Sequence, residues 1–349
     1  MRKSFRFTLF ALLAALVLGI AACGGDDDSG GSSSSNTTSS DSGGKAIKTG
    51  LVTDIGGLND RSFNFLANKG LEDAKSQLGT QGRVFLSKSN GDYIPNLQTS
   101  AQQQNDLTIS VGFLMGDATA TVAKKFPNND FAIVDFSAAA LKGKPTNVEG
   151  LLFKEQEAGY LAGYLAGLWA KDNNADTISS VGGQKIPPVD HYIAGYQAGA
   201  KAANPSIKTL NGYSQDFVDQ AKCKEIALNQ IAQGSKVVFQ VAGQCGLGAL
   251  DAAKEKKVQG IGVDADQSYL GPHILTSALK KVDVAVFDAI KTAQDGKFKG
   301  GTDVIATVEN GGVGLGQIGP AGTKYENQIK DVTDQLAAGD IKDIPDTVK

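Results

Sequence analysis

From Ala46 onward, short apolar runs alternate with stretches in which apolar residues recur every three or four positions. AIKTGLVTD, RVFLSKS, LTISVGFLM, FAIVDF and VEGLLF have the near-continuous apolar character of strands covered on both faces. Between the first two, Phe63, Ala67, Gly70, Leu71, Ala74 and Leu78 share one helical face, so residues 60–78 are expected to form a helix. Residues 94–105 read as a polar helix, and DATATVAKKF as a helix stopped by Pro127. The second half repeats the rhythm. Helices are expected in EQEAGYLAGYLAGLWAK, VDHYIAGYQAGAKAA, DQAKCKEIALNQIAQG, LGALDAAKEK and VDVAVFDAIKTAQDG. Strands are expected in TISSVGG, SIKTLNGY, KVVFQVAG, QGIGVDAD and HILTSALK. VENGGVGLGQIG reads as a Gly-rich connection before a last amphipathic helix near 321–338.

Strand–helix alternation of this length predicts an α/β protein with two doubly wound parallel-sheet lobes. In such sheets a ligand lies beyond the carboxyl ends of the strands. Asp54, Asp135, Gly243 and Asp264 stand at those ends.

The start of the chain adds an address. Arg2, Lys3 and Arg6 precede an uncharged run from Phe7 to Ala22, the layout of a secretory signal peptide over residues 1–22. The uncharged run is short of the roughly 20 residues needed to span a bilayer. LGIAAC, ending at Cys23, resembles the lipobox of bacterial lipoproteins, in which that cysteine is lipidated. Residues 23–45 would then be the lipidated Cys23 and a flexible Gly/Ser/Asp tether, with nothing to bury in a core. The expected location is the extracytoplasmic face of the cell membrane. The chain carries a formal charge of −3, and losing the three leader cations would make it more acidic. Nucleic acid is therefore a poor partner. Cys223 and Cys245 remain as an even pair that can oxidise in an exported protein, or stay as buried thiols.

The most unusual stretch is TDIGGLNDRSFN, residues 53–64. As a calcium loop it fails, because Gly56 and Leu58 occupy alternate ligand positions and Phe65 the twelfth. It also lacks the glycine and Lys-Ser/Thr pattern of a phosphate cradle. With only His191 and His273 in the chain, no acid–base or nucleophilic set can be assembled from spacing, and no metal site or catalysis is expected. Asp60 alone reads equally as a helix cap and Asp54 as a turn former. Together with Phe63 they offer hydrogen-bond acceptors beside a flat apolar ring, which suits a neutral polar ligand. Phe217, in YSQDFVD, reads as a second ring on the equivalent turn of the other lobe.

TDIGGLNDRSFN, SVGFLMGDA, KKFPNNDFAIVD, FKEQEAGYLAGYLAG, VGGQKIPPV, GYSQDFVDQAKCKEIA, VFQVAGQCGLGALDAA, GVDADQ and ILTSALKKVDVAV follow one another in the order found in one family. The chain resembles the basic membrane protein (PnrA-like) lipoproteins, substrate-binding components of ABC-type nucleoside transporters. The resemblance implies a type I periplasmic-binding fold with three crossovers between lobes. Its lobes would be 46–154 with 278–305, and 155–277 with 306–349. It implies purine nucleosides (guanosine, inosine or adenosine) as ligands, a permease and an ATPase as partners, no cofactor, and a monomer. By the same resemblance Asp54 and Asp135 bond the base, with Asn59 and Asp60 shaping that contact, and Phe63 and Phe217 stack on it. Asp264 takes the ribose hydroxyls with help from Lys280, which alternates with Lys281 as the inward residue, and Gly243 lets the backbone approach the sugar. Asp117 and Asp266 are secondary candidates. The cysteine in AGQCGLG departs from the family's usual residue at that turn. A sugar-binding or ligand-sensing lipoprotein of the same fold is the alternative.

Overall fold

The structure, a computed structural model, describes residues 45–348. The expected signal peptide, the lipidation at Cys23 and the tether up to residue 44 lie outside the described residues. The strands are β1 (Lys48–Thr53), β2 (Gln81–Phe85), β3 (Leu107–Val111), β4 (Asp130–Val134), β5 (Val148–Phe153), β6 (Thr177–Gly182), β7 (Lys208–Tyr213), β8 (Val237–Val241), β9 (Gln259–Asp264), β10 (Ile274–Lys280), β11 (Asp303–Ala306) and β12 (Val313–Leu315). The helices are α1 (Phe63–Leu78), α2 (Tyr93–Gln102), α3 (Gly116–Lys125), α4 (Glu155–Asp172), α5 (Pro187–Ala203), α6 (Gln220–Ala232), α7 (Gly243–Glu255), α8 (Val282–Gln294) and α9 (Glu326–Ala337).

Two six-stranded sheets result, ordered β11-β5-β4-β3-β1-β2 and β12-β10-β9-β8-β6-β7. The orders superimpose position for position, so β1 corresponds to β6, β3 to β8 and β4 to β9. Central strands such as β3 and β8 are buried throughout, as their unbroken apolar runs require. Two strands escape the pattern reading. VENGGVGLGQIG is not a plain connection, because β12 lies within it and pairs antiparallel with β10, and β11 pairs with β5 just before it. Both are edge strands, of 4 and 3 residues, too short for an alternating or continuous pattern to stand out.

The chain crosses between sheets after β5, after β10 and after β11. The second crossover falls after Lys280 rather than at residue 278, because Leu279 and Lys280 still pair with β12. The crossing segments are stitched together: the Lys154 amide donates to the Ala306 carbonyl at 2.8 Å and the Lys281 amide to the Gly312 carbonyl at 2.9 Å.

Helices α4 and α5 pack with their backbones nearly touching. A Cβ added at Gly163 would lie 1.9 Å from the Tyr196 carbonyl oxygen, and one at Gly195 would lie 2.1 Å from that of Gln156. The small residues of EQEAGYLAGYLAG therefore set the depth at which α5 sits, and with it the positions of His191 and Tyr192.

Candidate functional site

The carboxyl ends of the two sheets face each other across a cleft enclosing about 610 Å³, part of it open to solvent. Asp54, Asp60, Phe63, Asp135, Phe217, Gly243, Asp264 and Lys280 all line it. Asn59 does not. It is exposed and lines a separate depression beside Arg61 and Phe65, because the turn carries it outward before α1 begins. Asp117 and Asp266 lie outside the cleft lining as well: Asp117 is in the first turn of α3, and Asp266 accepts from the Ser268 and Gln317 amides.

Asp135 and Asp264 occupy matching places, the carboxyl ends of β4 and β9, and both have left-handed backbones, with φ of 69° and 60°. Each such residue costs of order 1–3 kcal/mol. The same strain at two pseudo-equivalent positions turns both carboxylates into the cleft. Gly112 after β3 has φ 118°, and a Cβ there would meet Asp54 Oδ2 at 2.6 Å. Gly243, the second residue past β8, has φ 55° and begins α7.

Asp54 accepts from Asn64 Nδ2 at 2.8 Å. Burial raises its pKa to about 8 against that bond, and the charges of Asp60, Asp135 and Asp264 push the same way. Asp60 is used differently: its oxygens accept the backbone amides of Ser62, Asn64 and Phe65 at 3.1, 2.7 and 3.0 Å. It caps the start of α1, as its sequence context also allowed. Burial still lifts its pKa to about 6, with the three amides pulling down.

Lys280, only 2% exposed, stands 2.6 Å from Asp135 Oδ1 and 2.9 Å from Glu155 Oε1. The Asp135 contact is an ion pair out of hydrogen-bond alignment, so that oxygen keeps bonding capacity. Burial works against the ammonium, but Asp135, Glu155 and Asp264 outweigh it and hold the Lys280 pKa above its usual value. Burial raises Asp135, with Lys280 opposing. Glu155 is held below its ordinary value, because Lys280 and His191 overcome the effect of its burial. Lys280 also lies 5.1 Å from the Phe63 ring centre and 4.8 Å from that of Phe153. Lys281 is exposed, so strand alternation selects Lys280.

Asp264 is already engaged from both lobes. It accepts Ser62 Oγ at 2.6 Å and Tyr192 OH at 3.2 Å. Its pKa is raised by burial, with Lys280, Ser62 and Tyr192 opposing.

Phe217 lies on the loop after β7, whereas Phe63 follows β1, whose counterpart is β6. The two turns are therefore not equivalent, and Phe217 reaches the cleft from an edge strand. Its ring packs where Gly183, following β6, has no side chain: a Cβ there would lie 2.3 Å from the ring. Cys223 and Cys245 form a disulfide joining α6 to the first turn of α7, with Cα atoms 5.6 Å apart. The Cys245 amide donates to the Phe217 carbonyl at 3.0 Å, so the bridged turn backs the ring.

Sequence reasoning missed Ser62, Asn64, Glu155, His191 and Tyr192. Ser62 and Asn64 lie within the motif already singled out and could have been found there. The other three carry no local signal. Among the described residues there is no cluster of His, Cys, Asp and Glu suited to a metal ion, and no helix long and apolar enough to cross a membrane.

Comparison with known proteins agrees with this architecture. A match to the family described as ABC transporter substrate-binding protein PnrA-like spans residues 47–348. A protein of Lactococcus lactis subsp. cremoris named as an ABC transporter nucleoside-binding protein is 37% identical over 313 residues, covering 83% of this chain and 85% of that one. An uncharacterized lipoprotein of Pyrococcus horikoshii is 38% identical over 280 residues, covering 77% and 68%. A solute-binding protein of an ABC transporter system from Aeropyrum pernix superimposes with a TM-score of 0.77 at 26% identity, over 86% of this chain and 94% of that one. The fold is that of type I periplasmic-binding proteins.

Proposed function

The chain belongs to the PnrA-like family of ABC transporter substrate-binding proteins, which are not enzymes, and from that premise we propose that it captures purine nucleosides in the interlobe cleft. The observation that carries this reading is the meeting, in one cleft, of two aromatic rings with carboxyl groups that burial drives towards the neutral form. A neutral Asp54 offers a donor and an acceptor side by side. That pair complements the N1–H and O6 edge of hypoxanthine or guanine, and equally the N1 and N6–H edge of adenine. Phe63 and Phe217 supply faces for the base. Asp264, with Lys280 nearby, supplies an acceptor and a donor for ribose hydroxyls.

Electrostatics separate nucleosides from nucleotides. Among the described residues that line the cleft, Lys280 is the one cation, and its ammonium is already paired with Asp135 and Glu155, so a phosphate would find no free positive charge where a neutral nucleoside needs none. The signal-peptide pattern, Cys23 and the naming of the Pyrococcus relative as a lipoprotein support a lipid anchor on the extracytoplasmic face of the cell membrane. Closure of the lobes about the hinge would then present the loaded form to a permease and its ATPase.

Mass spectrometry of the ligand released from denatured protein, followed by calorimetry, tests the assignment. Inosine, guanosine or adenosine should bind, and AMP should not. Binding of ribose without any nucleoside would overturn the reading in favour of a sugar receptor.

A further inference from the structure

Neither Glu155 nor His191 lines the cleft, yet both stand directly behind it. Glu155 opens α4 immediately after the first crossover, and Lys280 closes β10 immediately before the second. Glu155 Oε1 accepts from Lys280 Nζ at 2.9 Å, and its Oε2 lies 3.0 Å from His191 Nδ1. On the other side of Lys280, at 2.6 Å, is Asp135 in the cleft wall. The Glu155 and Lys280 side chains are 3% and 2% exposed, while that of His191 is 29% exposed. A continuous chain of charged groups thus runs from solvent to the ligand cavity, and only its outer member exchanges protons readily.

We infer that Glu155 and His191 are positioning residues for Lys280: protonation of His191 draws Glu155 away and frees the ammonium to bind ligand in the cleft. A carboxylate shared between two cations holds each less firmly than it holds one. The groups facing His191 are Glu155 from α4, Lys280 from β10 and Asp346 from the C-terminal segment. Burial opposes the imidazolium, but the hydrogen bond and charge of Glu155 outweigh it and keep His191 above its ordinary pKa. The coupling is reciprocal. A ligand hydroxyl that accepts from Lys280 weakens its hold on Glu155 and so favours the proton on His191. The ligand-dependent half of this inference rests on the nucleoside reading; the ligand-free half does not.

The chain has two histidines, His191 and His273, so NMR titration of the imidazoles resolves both, with His273→Gln giving the assignment. In ligand-free protein, Lys280→Met should raise the His191 pKa by about half a unit or more, since the neighbouring positive charge is gone. An unchanged His191 in a folded Lys280→Met protein would overturn the relay. His191→Gln, which keeps a donor to Glu155 but does not titrate, provides the second arm and spares the buried cluster. Its Kd for inosine should match that of the unaltered protein at pH 8.5 and be about fivefold weaker at pH 6. Superimposable pH profiles would also overturn the relay. If neither protein binds inosine, guanosine or adenosine while Lys280→Met shifts His191, the nucleoside reading fails and the ligand-free half of the relay stands.

Discussion

Replacing Asp54 by Asn should stabilise the ligand-free protein, and by an amount that grows with pH. Asn keeps an oxygen to accept from Asn64 Nδ2, now at 2.8 Å, so the local hydrogen bond survives. Only the titration is removed. The folded-state pKa of Asp54 is raised from 3.8 to about 8 by burial, against the Asn64 bond. The folded protein therefore retains a proton that the unfolded chain releases. A raised pKa contributes stability that is complete below 3.8 and is lost as pH rises towards about 8. At about 1.36 kcal/mol per pKa unit, that loss is roughly 1.5 kcal/mol at pH 5 and about 4 kcal/mol at pH 7, levelling off above pH 8. The Asn variant escapes it. Urea unfolding of ligand-free protein at pH 5, 7 and 8.5 measures the difference directly. The variant should gain on the parent across this range, with most of the gain between pH 5 and 7. A difference that stays flat with pH would mean that Asp54 is ionised in the folded state, and the donor–acceptor pairing proposed for it would fall.

Phe217→Ala should weaken nucleoside and free base alike by about 1–3 kcal/mol in calorimetry, because it removes one stacking face. Asp264→Ala should weaken nucleosides by about 1.5–3 kcal/mol more than free bases, since the ribose loses a charge-assisted acceptor; equal losses would refute that role. Replacing both Cys223 and Cys245 by Ser opens a loop with a sequence separation of 22 and should cost about 3 kcal/mol of stability in chemical unfolding. The same change should loosen Phe217, whose carbonyl the Cys245 amide holds, and so weaken the nucleoside as well.

What the chain's own pattern determined was whatever depends on neighbours in sequence. Unbroken apolar runs implied strands buried on two faces, helical spacing implied the layers covering them, and the strand-end rule picked out Asp54, Asp135, Gly243 and Asp264, all of which line the cleft. The roles of these residues were not legible in the same way. Asp60 read equally as ligand contact or helix cap, and only the folded turn spends its oxygens on three backbone amides. Asn59, one residue earlier, points outward from the same motif. Glu155 stands first in the helical run EQEAGYLAGYLAGLWAK, with no local sign of a partner. It becomes the partner of Lys280, 125 residues away, because two crossovers bring the ends of β5 and β10 side by side. The ring of Phe217 enters from an edge strand, through space left by Gly183. Strand and helix periods are set by local backbone geometry and so can be read along the chain. The pairing of charges across two sheets depends on which strand ends the topology makes adjacent, and only the tertiary structure decided that.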